Sequence, residues 1–179
     1  PGLFSYSINY GIRAVTDGTS STIAFTEALV SPNNTQRTTR RTGMVGVTDP
    51  GGGSQFSAFS NPTAIQNFIA ACDQAWNTGT GATFPQAIGQ RWAMGVLGWT
   101  MMTTILAPNE KPWTACRLGC SGCGIDNTHQ MNASSAHPGG VNAVFGDGSV
   151  RFIKNSVARN IWWSLGTRAG GEILSADSY

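Results

Sequence analysis

Charge is scarce in this chain of 179 residues: 11% are Asp, Glu, Lys or Arg, against about 25% in an ordinary globular domain. Lys and Arg number 11 and Asp and Glu 9, for a net charge of +2, which is no electrostatic footprint for a nucleic acid. The one basic cluster, Arg37, Arg40 and Arg41, lies in a Thr/Asn-rich stretch and reads as a solvated loop. Histidine is scarcer still. His129 and His137 leave few options for a His-based triad or a zinc hydrolase, and their spacing does not put both on one helical face. Acids scattered one at a time disfavour a paired-carboxylate glycosidase. The chain has no G-x-S-x-G elbow and no glycine loop of the phosphate-binding kind. No apolar run approaches the ~18 residues of a membrane helix, and no secretory leader is read ahead of Pro1. These absences point to a non-enzymatic protein with no nucleic-acid partner and no membrane span in this chain.

What is abundant is small and polar. Thr, Ser and Asn contribute 19, 16 and 12 residues, and Gly 23. Six Trp, eight Phe and 40% hydrophobic residues supply a packed core and exclude a disordered chain. A low-charge surface of this kind suits an extracytoplasmic protein. The length fits one domain.

The elements can be read in order. Thr16-Asp17-Gly18-Thr19 is a turn signal, followed by a strand over Thr22 to Leu29. Residues 31–43 are polar and aperiodic, a loop; Met44 to Val47 is a short strand. Ser60 or Asn61 caps the best helix, with Pro62 in its first turn and Ile65, Phe68, Ile69, Cys72 and Trp76 on one stripe. Gly89 to Leu106 reads as one or two strands, and residues 107–136 as a loop holding three cysteines. Val141 to Phe145 and Val150 to Ile153 form a hairpin. A two-residue Asp147-Gly148 turn would set Phe145 opposite Val150 and Ala143 opposite Phe152, all four on the buried face. Asn155 or Ser156 caps a short helix that Gly166 ends, and Glu172 to Ser175 reads as a last strand.

The C-terminal part carries a resemblance. His137 reaches Asp147-Gly148 across nine residues. This resembles the H-x9-D-G signature of a type IV pilin-like, planctomycete-type family of unknown function. The Thr16–Ile23 segment with Glu27, the Thr103–Asn109 segment ending in Pro-Asn, and Leu165 to Asp177 resemble that family in the same order. The resemblance implies a secreted, periplasmic or cell-surface protein of pseudopilin-like architecture. Its partners would be other pilin-like subunits or secretion and surface machinery. Family members begin with a prepilin site and a hydrophobic helix; this chain shows neither, so it reads as the globular head, residues 1–179, without that helix.

Three constellations carry chemistry. Cys116, Cys120 and Cys123 with Cys72 make four cysteines. Disulfides are the favoured reading, Cys72 joined to one of the three and the other two to each other; a four-cysteine zinc site is the alternative. His137 and Asp147 read as structural, because an extended chain between them spans about 33 Å. No cofactor is expected, with one exception: a calcium site in which Asp147 and Asp17, each on a Gly-flanked loop, converge. Trp162 and Trp163 are adjacent on a short helix, so at most one points into the core and the other is a candidate ligand contact. The expected fold is α+β: a mainly antiparallel sheet, one amphipathic helix packed on it, a short C-terminal helix, loop-rich and disulfide-bonded. The expected function is a non-catalytic pilin-like structural subunit. A secreted carbohydrate-binding module that uses exposed Trp on polysaccharide is the rival, and an extracellular hydrolase a distant third.

Overall fold

Asn61 begins the longest helix, α1 (Pro62–Thr78), by accepting a bond from the Ala64 amide at 3.1 Å, with Pro62 in the first turn. Gly79 closes it through its N–H on the Ala75 carbonyl. The five stripe residues are all buried, as the 3.6 period requires. The computed structural model describes residues 2–5, 8–30, 43–48, 58–79, 93–119, 128–175 and 178–179. The other elements are β1 (Ile23–Thr26), β2 (Gly43–Val47), β3 (Trp113–Leu118), β4 (Thr128–Met131), β5 (Gly140–Phe145), β6 (Val150–Lys154) and α2 (Arg159–Leu165), with a 3-10 turn at Ile12–Ala14. The fold class is α+β.

The elements fall into two units. One comprises Leu29–Met102 and Lys111–Met131. Its three-stranded sheet has the order β2-β3-β4, β2 parallel and β4 antiparallel to β3. The chain between the parallel strands runs through α1, which packs on both. Cys72 of α1 and Cys116 of β3 form a disulfide across that contact. In the chain-entropy view, closing this loop contributes about 4 kcal/mol. Met44, Trp99, Ala115 and Met131 are buried together. Asp73 on α1 accepts from Lys111 Nζ at 2.6 Å and Trp113 Nε1 at 2.9 Å.

The other unit comprises Pro1–Ala28, Thr103–Glu110 and Asn132–Tyr179. Its antiparallel sheet has β5 in the middle, in the order β1-β5-β6. The hairpin turn lies where expected, but the register is shifted by one residue. Gly148 N–H bonds Phe145 O, Phe145 N–H bonds Ser149 O, and Gly148 has φ 86°. The loop is therefore three residues, a turn closed by a left-handed glycine, rather than two. Val144 now sits opposite Val150 and Asn142 opposite Phe152. The slip turns β6 over: Ile153 is fully buried and Phe152 is 44% exposed. The buried face carries Val141, Ala143, Phe145 and Ile153. Phe152 instead rests over Gly140, where a Cβ would meet its ring at 2.8 Å.

Other expectations change too. The described part of 89–106 has one isolated bridge, Leu97 to Met101, and no strand. The amides of Trp99, Thr100 and Met101 all turn onto the Val96 carbonyl, which spends their bonds locally. Residues 107–136 hold β3 and β4 rather than a continuous loop. β3 is buried at every position, so it lacks the alternation that marks a half-exposed strand. Helix α2 begins only at Arg159, with no side-chain cap; Asn155 is occupied with Gly139 and Asn109. Glu172 to Ser175 is not a strand. Residues 31–42, read as loop, lie outside the described residues.

Candidate functional site

The side chains that the sequence singles out lie mostly in the unit built on β1-β5-β6, and most are held by partners far along the chain. Glu27 follows β1 directly. Its Oε2 accepts from the Asn142 amide and its Oε1 from Asn142 Nδ2, both at 2.9 Å. His137 Nε2 lies 3.2 Å from Oε1, and Ser135 bonds the carboxylate through its side chain. The main chain repeats the tie: Glu27 N–H bonds Asn142 O, and Ser134 N–H bonds Glu27 O. Partial burial works to raise the Glu27 pKa, but the Asn142 and Ser135 bonds and the nearby His137 outweigh it and hold the carboxyl below its ordinary value. Serine, histidine and acid thus meet in one cluster without forming a nucleophile relay. The Ser135 hydroxyl accepts from the His137 backbone amide at 2.9 Å and is buried, whereas a relay needs it on the imidazole and open to substrate.

His137 and Asp147 are not paired; each has its own partner. Asp147 Oδ1 accepts from Ser149 N at 2.9 Å and Ser149 Oγ at 2.7 Å at the exposed hairpin tip. These two bonds, the hydroxyl's first, lower its pKa. Gly148, the third residue of the signature, is the left-handed residue of the turn.

Asp17 grips the C-terminal segment. Its carboxylate accepts from Gly170 N at 2.7 Å, Gly171 N at 2.9 Å and Thr167 Oγ1 at 3.1 Å. Burial opposes ionisation there, and the two glycine amides, the threonine and Arg168 overcome it, so the pKa is lowered. Arg168 in turn lies 3.6 Å above the Tyr10 ring and donates to Ala14 O at 3.0 Å. The loops bearing Asp17 and Asp147 do meet, through main-chain bonds from Asp147 N to Thr19 O and Gly146 N to Thr22 O. The two carboxylates are each engaged by separate donors. Among the described residues no group of three or more His, Cys, Asp or Glu is placed to hold a metal ion.

Asn109 is the residue that sequence reasoning passed over. It has φ 57°, a conformation asparagine tolerates better than most, and is nearly buried. Its side chain donates to Gly140 O at 3.3 Å and Asn155 Oδ1 at 2.9 Å, and accepts from Ser135 N at 2.9 Å. The signal was the Pro108-Asn109 pair, a turn dipeptide that carries no hint of its distant partners. Glu27 stood in the sequence within the expected Thr22–Leu29 strand, as part of a segment that resembles the family, again with nothing to indicate Asn142.

Trp162 is fully buried. Trp163 is half-buried and donates its indole N–H to Ile105 O at 2.9 Å, so of the adjacent pair it is the one that reaches the surface. Cys72 is bonded to Cys116, which removes two ligands from the four-cysteine zinc alternative. Cys120 and Cys123 lie outside the described residues. Among the described residues no helix is long and apolar enough to cross a membrane.

A model of the family described as "Protein of unknown function (DUF1559)" matches residues 1–160. No curated protein and no solved structure matches the chain.

Proposed function

We propose, since this chain belongs to the DUF1559 family, that it is the head of a pilin-like, non-catalytic structural subunit of an exported surface or secretion assembly. One observation carries the reading. Asp17, Glu27 and Asn109, from the segments that resemble the pilin-like family, act as brackets within one unit, with His137 beside Glu27, while Asp147 closes its own turn. The Asp17 and Glu27 carboxylates and the Asn109 amide are spent on holding distant stretches of chain together, which suits a structural subunit. The disulfide fits an oxidising compartment. The partners are other pilin-like subunits or the machinery that assembles them.

The test uses the full gene product in cells that make it. Antibody labelling of intact cells should find the head at the surface. Cross-linking should join it to subunits with prepilin-type leaders. A location confined to the cytoplasm would sink the reading. Selective binding on a glycan array that is lost in Trp163→Ala would replace it with the carbohydrate-binding one.

A further inference from the structure

Arg151 stands where the strand pattern calls for an apolar residue. It pairs with Ala143, which is fully buried, and so shares the inner face of its sheet with Phe145 and Ile153. A cation on that face needs partners. Its guanidinium carbon lies 4.8 Å from the centre of the Phe145 ring and 5.3 Å from that of Tyr179, and Nη1 donates to the Tyr179 hydroxyl. The Tyr179 ring stacks on Phe145, with centroids 5.8 Å apart and planes 25° from parallel. Asp147 feels the Arg151 charge, but its Oδ1 is bonded to Ser149. Phe145 and Arg151 thus form a seat with an aromatic wall and a charged donor, and the group that fills it is a phenol.

That phenol arrives on a strap. Asp17 fixes the chain at the Gly170 and Gly171 amides, and Tyr179 is the second fixed point. Between them Glu172 to Ser175 forms neither helix nor strand, and Ile173 is fully exposed. One stacked ring and one hydrogen bond must therefore offset much of the cost of ordering that link. The seat can empty while the Asp17 clamp stays shut, because the link from Gly171 reaches roughly 26 Å when extended. The seat reads chemistry and not sequence position: any tyrosine brought to it makes the same stack and the same bond to Arg151. We infer that Phe145 and Arg151 form a binding site for a tyrosine side chain of a partner polypeptide, and that Tyr179 fills it in cis as a plug. A short flexible link holds such a plug at an effective concentration of about a millimolar or more. A partner's tyrosine gains the seat when it is presented at a comparable concentration or when the strap is drawn away. The inference does not rest on the pilin-like reading, since a binding module could carry the same plug.

The test adds an amide-capped peptide of residues 172–179 to the full chain and follows the Arg151 side-chain Nε–H signal by NMR. Tyr179→Ala empties the seat and leaves the Asp17 clamp in place. It should bind the peptide with a Kd below about 1 mM and shift the Arg151 signal. The parent should bind about tenfold more weakly, because its own plug competes. A peptide with alanine in place of its tyrosine should not bind, and Arg151→Ala in the Tyr179→Ala background should abolish binding. No binding to Tyr179→Ala at millimolar peptide overturns the inference. So does equal binding to parent and variant, or binding that does not need the peptide's tyrosine. If Tyr179→Ala fails to fold, Tyr179→Phe decides. It keeps the ring and loses the bond to Arg151, so the peptide should displace it several-fold more readily than it displaces the parent's tyrosine; no difference between the two overturns the inference.

Discussion

Glu27 holds three pieces of chain with one carboxylate: the end of β1, Asn142 of β5 and the Ser135–His137 segment. Its bonds form to the charged oxygen atoms, so the folded state prefers the ionised form and its pKa falls below the unfolded value. Asp17 has the same sign. Stability from both carboxylates is therefore complete above the unfolded carboxylate range of about 3.9–4.3. It is lost as pH falls through the lowered folded values. Chemical denaturation against pH should be flat from neutral to about pH 5 and decline below about pH 4. Glu27→Gln should remove part of that slope, because the amide nitrogen meets donors where the carboxylate accepted. The substitution should cost about 1.5–3 kcal/mol, as bonds to charged groups do. A slope unchanged in Glu27→Gln would show that other acids set the acid limit. His137, half-exposed, matters less; His137→Ala should cost under about 1 kcal/mol. Asp17→Ala leaves the Gly170 and Gly171 amides without their acceptor, and a thermal melt should fall by several degrees. With Asp17 and Asp147 each engaged by protein donors, a calcium chelator should leave the melt of the parent unmoved. A chelator-induced drop that Asp147→Asn abolishes would restore the calcium reading.

Among elements, the hairpin shows how one residue decides a face. Ile153 is fully buried and Phe152 is not, so Ile153→Ala should cost about 2–5 kcal/mol. Phe152→Ala should cost clearly less, since it loses only the cover over Gly140. Urea unfolding of both variants would check it; a larger loss at Phe152 would return β6 to the other register. The sequence could place this turn but not its length, because Asp147-Gly148 suits a two-residue loop and a three-residue loop equally. The bond from Phe145 N to Ser149 O selects between them. Helix α1 was legible because its stripe, cap and stop are all local. Strand β3 was not, because a strand buried on both faces has no alternation to read. The site was the least legible part. Asp17 finds its partners 153 and 154 residues away, and no local pattern encodes such a separation.

The molecule as a whole divides its fastenings. The unit holding α1 and β2-β3-β4 carries the Cys72–Cys116 bridge, and the unit holding β1-β5-β6 relies on polar brackets. Peptide mapping without reduction should recover Cys72 linked to Cys116. Reduction should withdraw about 4 kcal/mol from the bridged unit. Hydrogen exchange should then speed up in α1, β2 and β3 and change little in β5 and β6. Equal loss of protection in both units would mean that they unfold as one.

The segment that ends at Ala28 belongs with strands that begin at Gly140. On the ribosome β1 is therefore made early and must wait. Its partner Phe145 follows Ile23 by roughly 120 residues, on the order of ten seconds at ordinary synthesis rates. During that time the unit holding α1 and β2-β3-β4, complete by Met131, can already form. β1 meanwhile has both edges open and Phe25 bare, the state in which strands find wrong partners. The order of synthesis thus makes β1 the segment for a chaperone to shield, and makes closing of the β1–β5 seam the late step of folding.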